Sequence, residues 1–138
     1  MVKQRLRRGD EPPPRGAMVV RGLSHSGGNS SLFSRAQLVT DTETNMDLYG
    51  FAGLSAWLVT PDWPLQRILE EKLARARCVA LIPVEELSTF GLTVWDTGAA
   101  PHVDLVALEG GVDTLVDGIM AISCESMDNP YYASEESS

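Results

Sequence analysis

Short apolar runs set off by glycine and proline decide what this chain can become. AMVVR at 17–21, GLSAWLVT at 53–60, CVALI at 78–82, LTVW at 92–95 and HVDLVAL at 102–108 are all of strand length. Val19 and Val20 are β-branched and Gly22 follows them, which predicts a first strand over Ala17–Arg21. In Gly53–Thr60, Leu54, Ala56 and Leu58 alternate with Ser55, Trp57 and Val59. Both sets are mostly apolar, so this strand is expected to be covered on both faces. Cys78–Ile82 predicts a buried strand, Leu92–Trp95 and His102–Leu108 two more joined by DTGAAP, and Ile122–Glu125 a last short one.

The strongest helical pattern is Trp63–Arg77. Asp62 is placed to cap it, and Pro64 is tolerated in its first turn. Leu65, Ile68, Leu69, Leu73 and Ala76 form one stripe, and Glu71 with Arg75 makes an i,i+4 pair. Three weaker helices are expected. One starts at Ser30 or Ser31 and runs to about Asn45, with Leu32, Phe33, Ala36 and Val39 or Thr40 on one face. Another spans Pro83–Phe90 and stops at Gly91; the third covers Val112–Ala121, where Gly118 costs roughly 1 kcal/mol relative to alanine. Strands and helices mix without strict βαβ alternation. The expectation is therefore α+β: a single compact domain with a mixed or mostly antiparallel sheet packed by two to four helices.

At 138 residues the chain suits one domain that needs neither metal nor disulfide to stay folded. The domain is read as residues 17–132, between a disordered polar tail at 1–16 and an acidic tail at 133–138. Met18, where the strand pattern begins, is an alternative start to Met1. The basic N-terminal residues precede no apolar segment, so no signal peptide is expected and the location is read as cytoplasmic, with no membrane association. Cys78 and Cys124 both sit in apolar surroundings, and no zinc-type spacing accompanies them, so no metal site is expected.

Charge is unevenly spread. The net charge is −8, Arg77 is the last basic residue, and eleven acids follow it. Such a surface repels phosphate backbones, so direct nucleic-acid binding is not expected. A basic protein partner fits it, with solubility as the plainer alternative.

The densest chemistry lies in VWDTGAAPHVD, residues 94–104. On a strand, His102 and Asp104 project to the same face, so a carboxylate can orient an imidazole for acid–base work. The alternative is a solvated edge face. Arg21, ending a strand before SHSGGNSS, is placed to grip a phosphate or carboxylate, with His25 nearby; that loop matches neither GxxxxGK[ST] nor GxGxxG. Ser55 is a further catalytic candidate, and Tyr49, Trp57 and Trp95 are ligand-wall candidates against the plainer reading of packing. DNPYY, at 128–132, reads as a turn with two docking tyrosines.

Three blocks carry a resemblance over residues 18–132: N-x-x-x-Y-G-F-x-G-x-S-x-W at Asn45–Trp57, V-W-D-T-G-x-x-P-H-x-D at Val94–Asp104, and the closing Asn129–Tyr132. They resemble a family of small uncharacterised actinobacterial proteins, which implies no activity. A looser similarity is to the ADP-ribosyltransferase fold. It implies that Arg21 contacts the phosphates of NAD and that Ser55 supports it, while the catalytic glutamate has counterparts only by type in Glu85, Glu86 and Glu109.

Three function classes follow. The first is a protein-binding component of a two-gene module, of toxin–antitoxin or defence type, with no cofactor; it predicts an exposed apolar patch rimmed by acids. The second is a small toxin-like enzyme acting on a nucleotide such as NAD, with Arg21, Ser55, His102 and Asp104 converging on one pocket. The third, a small-ligand sensor, requires a closed apolar cavity near Trp57 and Trp95.

Overall fold

The fold is given by a computed structural model of the chain, which describes residues 16–23 and 33–132. Six strands form one antiparallel sheet in the order β4-β5-β2-β1-β3-β6. They are β1 Met18–Leu23, β2 Leu54–Leu58, β3 Cys78–Pro83, β4 Leu92–Asp96, β5 His102–Ala107 and β6 Glu125–Asp128. Four helices complete the α+β fold: α1 Arg35–Tyr49, α2 Leu65–Glu71, α3 Val84–Thr89 and α4 Val112–Ala121. The expected tails lie, but for Gly16, outside the described residues, as does the SHSGGNSS loop with His25.

Strand alternation sorts the core into two layers. Val19, Leu23, Leu54, Ala56, Ile82, Val103 and Leu105 face one side, packed by Leu38 of α1, Leu87 of α3, and Leu115, Val116 and Ile119 of α4. Val20 and Val79 face the other, under Ile68 and Leu69 of α2, with Trp57 and Leu81 at the margin. β2 is thus covered on both faces, as its paired apolar sets predicted.

Three elements differ from the sequence pattern, each for a physical reason. α1 begins at Arg35 with Ser34 as its cap, its hydroxyl accepting from the Gln37 amide at 3.3 Å. Its buried residues are Leu38, Thr42 and Asn45, not an apolar stripe through Ala36, because this face meets Arg21. α2 is half the expected length and lacks a side-chain cap from Asp62. Leu73 and Ala76 still pack inward beyond its end, against the bare backbone of Gly22, where a Cβ would lie 3.1 Å from that of Ala76. Asn129 donates to the Leu73 and Ala76 carbonyls of this irregular segment. Glu71 pairs with Arg67, at 2.7 Å. The last strand forms three residues later than expected, at Glu125–Asp128, in register with Cys78–Leu81 of β3.

Gly118 is the other surprise. Its weak helix propensity serves the packing of α4 onto β4: a Cβ there would come within 2.9–3.1 Å of three side-chain atoms of buried Leu92. Gly118→Ala gains roughly 1 kcal/mol of helix propensity but forces an overpacked contact costing roughly 1–3 kcal/mol. The expected outcome is a net loss of about 1 kcal/mol and a lower thermal midpoint, where propensity alone predicts a rise.

Candidate functional site

One face of α1 is polar and points inward. Ser34, Gln37, Leu38, Asp41, Thr44, Asn45, Leu48 and Tyr49 recur every three or four residues and line a groove. Thr42, fully buried beside them, turns its hydroxyl back to the Leu38 carbonyl at 2.7 Å. Arg21 leaves β1 between Val19 and Leu23 and so enters this groove from the sheet. Its Nη2 pairs with Asp41 Oδ2 at 2.6 Å, and its Nη1 donates to the Ser55 carbonyl at 2.7 Å. Gln37 Nε2 holds the other Asp41 oxygen at 2.8 Å. The Arg21 side chain is only 11% exposed. Burial pulls its pKa below the ordinary value, opposed by Asp41 and, more weakly, by Asp104. A guanidinium keeps its proton regardless. The consequence is a cation whose lost hydration the protein only partly replaces.

The Arg21–Asp41 pair borders two cavities. The outer one, of about 310 Å³, is walled by Gly22, Leu23, Phe33, the first turns of α1, and Lys72, Leu73, Arg75 and Ala76 after α2. Three of the six basic residues in the described chain, Arg21, Lys72 and Arg75, line it, with Asp41 as its one acid. The inner cavity, of about 210 Å³, runs past the pair to Thr44, Asn45, Leu48, Tyr49, Gly53 and Ser55.

A second polar group sits on the opposite face of the sheet. His102 and Asp104 alternate with Val103 and Leu105 of the first core layer, so they project together as expected. Thr97 bridges them. Thr97, fully buried, donates its hydroxyl to Asp104 Oδ2 at 2.6 Å, and Thr97 Oγ1 lies 3.2 Å from His102 Nδ1. His102 Nδ1 is also 3.2 Å from the Thr97 carbonyl, which only accepts, so a hydrogen bond there needs a proton on Nδ1. Trp57 stands edge-on to the imidazole at 5.8 Å.

The four catalytic candidates therefore divide. Arg21 and Ser55 border the inner cavity, where the Ser55 carbonyl is the atom Arg21 holds. His102 and Asp104 line neither cavity. Of the wall candidates, Tyr49 lines the inner cavity, whereas Trp57 packs on the second core layer and Trp95 against Phe51 at 5.2 Å. Glu85, Glu86 and Glu109 border neither cavity, and His25 lies outside the described residues. Sequence reasoning missed Asp41, Asn45, Lys72 and Arg75. Asp41 and Asn45 stand four apart on α1, a spacing that becomes a signal only once Arg21 is known to face that helix.

Both cysteines are free thiols. Cys78 donates to Asp128 Oδ1 at 3.2 Å, and burial pushes the Cys124 thiol up, which lowers its thiolate fraction and its reactivity. Among the described residues no group of three or more metal-ligating side chains comes together, and no helix is long and apolar enough to cross a membrane. No protein-family model matches the chain, and no curated protein or solved structure matches it.

Proposed function

We propose that this protein is a binding module that takes a small anion, a phosphate or carboxylate group, in the outer cavity. The observation that carries the reading is the convergence of Arg21, Lys72 and Arg75 on one cavity in a chain of net charge −8. An even spread of so few basic residues would not gather half of the described ones there. The volume, about 310 Å³, falls at the lower end of ligand-pocket sizes. Arg21, held by Asp41 and the Ser55 carbonyl, adds fixed positive charge at the cavity wall, while the two exposed cations add long-range attraction. Binding is favoured over catalysis because His102 and Asp104, the groups suited to proton transfer, lie on the other face of the sheet.

The test is an NMR titration with inorganic phosphate at low ionic strength. Shifts are expected at Gly22, Ser34, Lys72 and Arg75. The exposed double variant Lys72→Glu/Arg75→Glu should fold normally and lose the response by more than about tenfold, and added salt should weaken wild-type binding. An unresponsive wild type sinks the reading.

A second reading, a partner-binding component of a two-gene module, has its own supporting observation. Phe90 and Leu108 are 38% and 65% exposed and leave the sheet at one corner, where the Leu108 amide donates to the Gly91 carbonyl at 2.9 Å. Exposed Glu85 and Glu109 lie in the adjoining segments. An apolar corner with acids nearby suits a basic protein partner. Mixing with a basic protein encoded next door, then repeating with Phe90→Ser/Leu108→Ser, checks it: a complex lost in the variant supports this reading.

A further inference from the structure

The two faces of the sheet are covered unequally. α1, α3 and α4 all pack on the first core layer, through Leu38, Leu87 and Leu115. On the second face, α2 and the segment after it lie over Val20 of β1, Val79 and Leu81 of β3 and Met127 of β6, with Trp57 of β2 at the margin. The other half of that face belongs to β2, β5 and β4. Register sets Ser55 and Trp95 beside Asp104, Trp57 beside His102, and Thr93 beside Val106, all pointing away from the first layer. Val106 belongs to neither core layer, yet it is only 3% exposed, and Asp104 is fully buried. Thr97 encloses Asp104 from one end; Val106 lies farther along the strand.

This half-face is aromatic and acidic. Trp57 and Trp95 are half-buried on it, Phe51 packs on Trp95, and exposed Asp96 ends β4 beside them. β2, β4 and β5 contain no Lys or Arg, and no basic residue lies between Arg35 and Arg67 or after Arg77. Aromatic rings beside carboxylates suit a guanidinium, which stacks on the one and pairs with the other. The fitting occupant is therefore an arginine-bearing segment with an apolar residue to lie over Val106.

The chain carries such a segment. Residues 1–15 hold Lys3, Arg5, Arg7, Arg8 and Arg15 against Asp10 and Glu11, with Leu6 among three of the arginines. They lead into β1 at the end of the sheet where the half-face begins. The Met18 carbonyl accepts from the Val59 amide, and the Leu58 amide donates to the Pro101 carbonyl, so β1 starts where β2 ends and β5 begins. From β1, β5 and β4 are two and three strands away, about 10 and 14 Å. Fifteen residues reach up to about 50 Å when extended. We propose that residues 1–15 are a basic arm that docks in the same molecule on the half-face of β2, β5 and β4, its arginines among Trp57, Trp95 and Asp96 and Leu6 over Val106. The segment whose composition reads as a disordered tail is then cover for the sheet, and a chain starting at Met18 would lack it.

Two-dimensional NMR of the full chain tests this, because its three indoles report separately. Trp57 and Trp95 border the half-face, whereas Trp63 sits against Arg67 and Lys72. Arg5→Glu/Arg7→Glu/Arg8→Glu is expected to move the indole signals of Trp57 and Trp95 and the amides of Thr93 and Val106, with Trp63 unmoved. Added salt should shift the wild type in the same direction. Asp96→Arg, at an exposed site, should reproduce the displacement, and joining it to the triple variant should bring the Trp95 signal back toward its wild-type position. Docking within one molecule also requires wild-type signals that hold through about a tenfold dilution. Signals that change on dilution place the arm on a second copy and overturn the proposal. Unmoved Trp57 and Trp95 in the triple variant, movement centred on Trp63, or no return in the charge swap overturn it as well.

Discussion

Arg21→Met is expected to lower the unfolding free energy by about 3 kcal/mol, seen as a lower urea midpoint at unchanged slope. The side chain is 11% exposed and its guanidinium bonds Asp41 and the Ser55 carbonyl at 2.6 and 2.7 Å. Methionine fills much of the same volume, so the loss is electrostatic rather than a cavity. It takes one donor from the Ser55 carbonyl and the paired cation from the Asp41 carboxylate, which keeps its bond from Gln37. Asp41 is 36% exposed and regains some water, which holds the estimate to the lower end of the usual 3–5 kcal/mol for breaking a buried pair.

The informative comparison is Arg21→Met/Asp41→Leu. Removing both charges spares the burial of a cation and leaves no stranded carboxylate. Such double replacements are often neutral or stabilising, so the double variant is expected to recover to within about 1 kcal/mol of wild type. Both variants should lose the phosphate response. That combination, stability restored and binding not, would mean the pair is kept for the ligand and not for the fold. A double variant as unstable as the single one would show the opposite.

This pair also marks where the sequence stops being readable. Strands, sheet type and helix count follow from local alternation and turn residues, and Leu54, Ala56, Val103 and Leu105 fall in the core as their spacing requires. α1 is harder because its inward face carries Asp41, Thr42 and Asn45, and a search for apolar periodicity passes over a helix that buries polar groups. Its true partner is Arg21, twenty residues away across a sheet, and that contact is invisible without the topology. α2 fails in the other direction. The apolar stripe through Leu73 and Ala76 is real and packs inward, but the backbone carrying it is not helical past Glu71. Periodicity reports which side chains go inside, and a distant residue can decide how the chain brings them there. His102 and Asp104 show the same limit at a site: their shared face was legible, whereas the Thr97 hydroxyl between them depends on how the DTGAAP turn closes.

For α2 the distant residue is Asn129, and its replacement by aspartate is expected to have a large effect for an isosteric change. Asn129 is 5% exposed. Its Nδ2 donates to the carbonyls of Leu73 at 2.8 Å and Ala76 at 3.1 Å, and its Oδ1 accepts from the Tyr131 amide at 2.9 Å. This one side chain thus closes the irregular segment that carries Lys72 and Arg75, the cationic wall of the outer cavity. Asn129→Ala takes a donor from the Leu73 and Ala76 carbonyls, of which Leu73 keeps its bond from the Ala76 amide, and takes the acceptor from the Tyr131 amide, at about 2 kcal/mol. Asn129→Asp keeps the shape but sets a carboxylate oxygen against those carbonyls with no hydrogen to share, so about 3–4 kcal/mol is expected. The pH dependence separates the two. In the folded state those carbonyls disfavour the ionised carboxyl, which raises its pKa above the unfolded value, so the folded protein binds more protons in that range. Stability of Asn129→Asp should therefore rise as pH falls through the carboxyl range, because a protonated oxygen can again donate, whereas the Asn129→Ala deficit should not change. Urea midpoints at several pH values measure this directly. Phosphate affinity should weaken in both variants, since the wall that binds the anion is held in place by the residue that was removed.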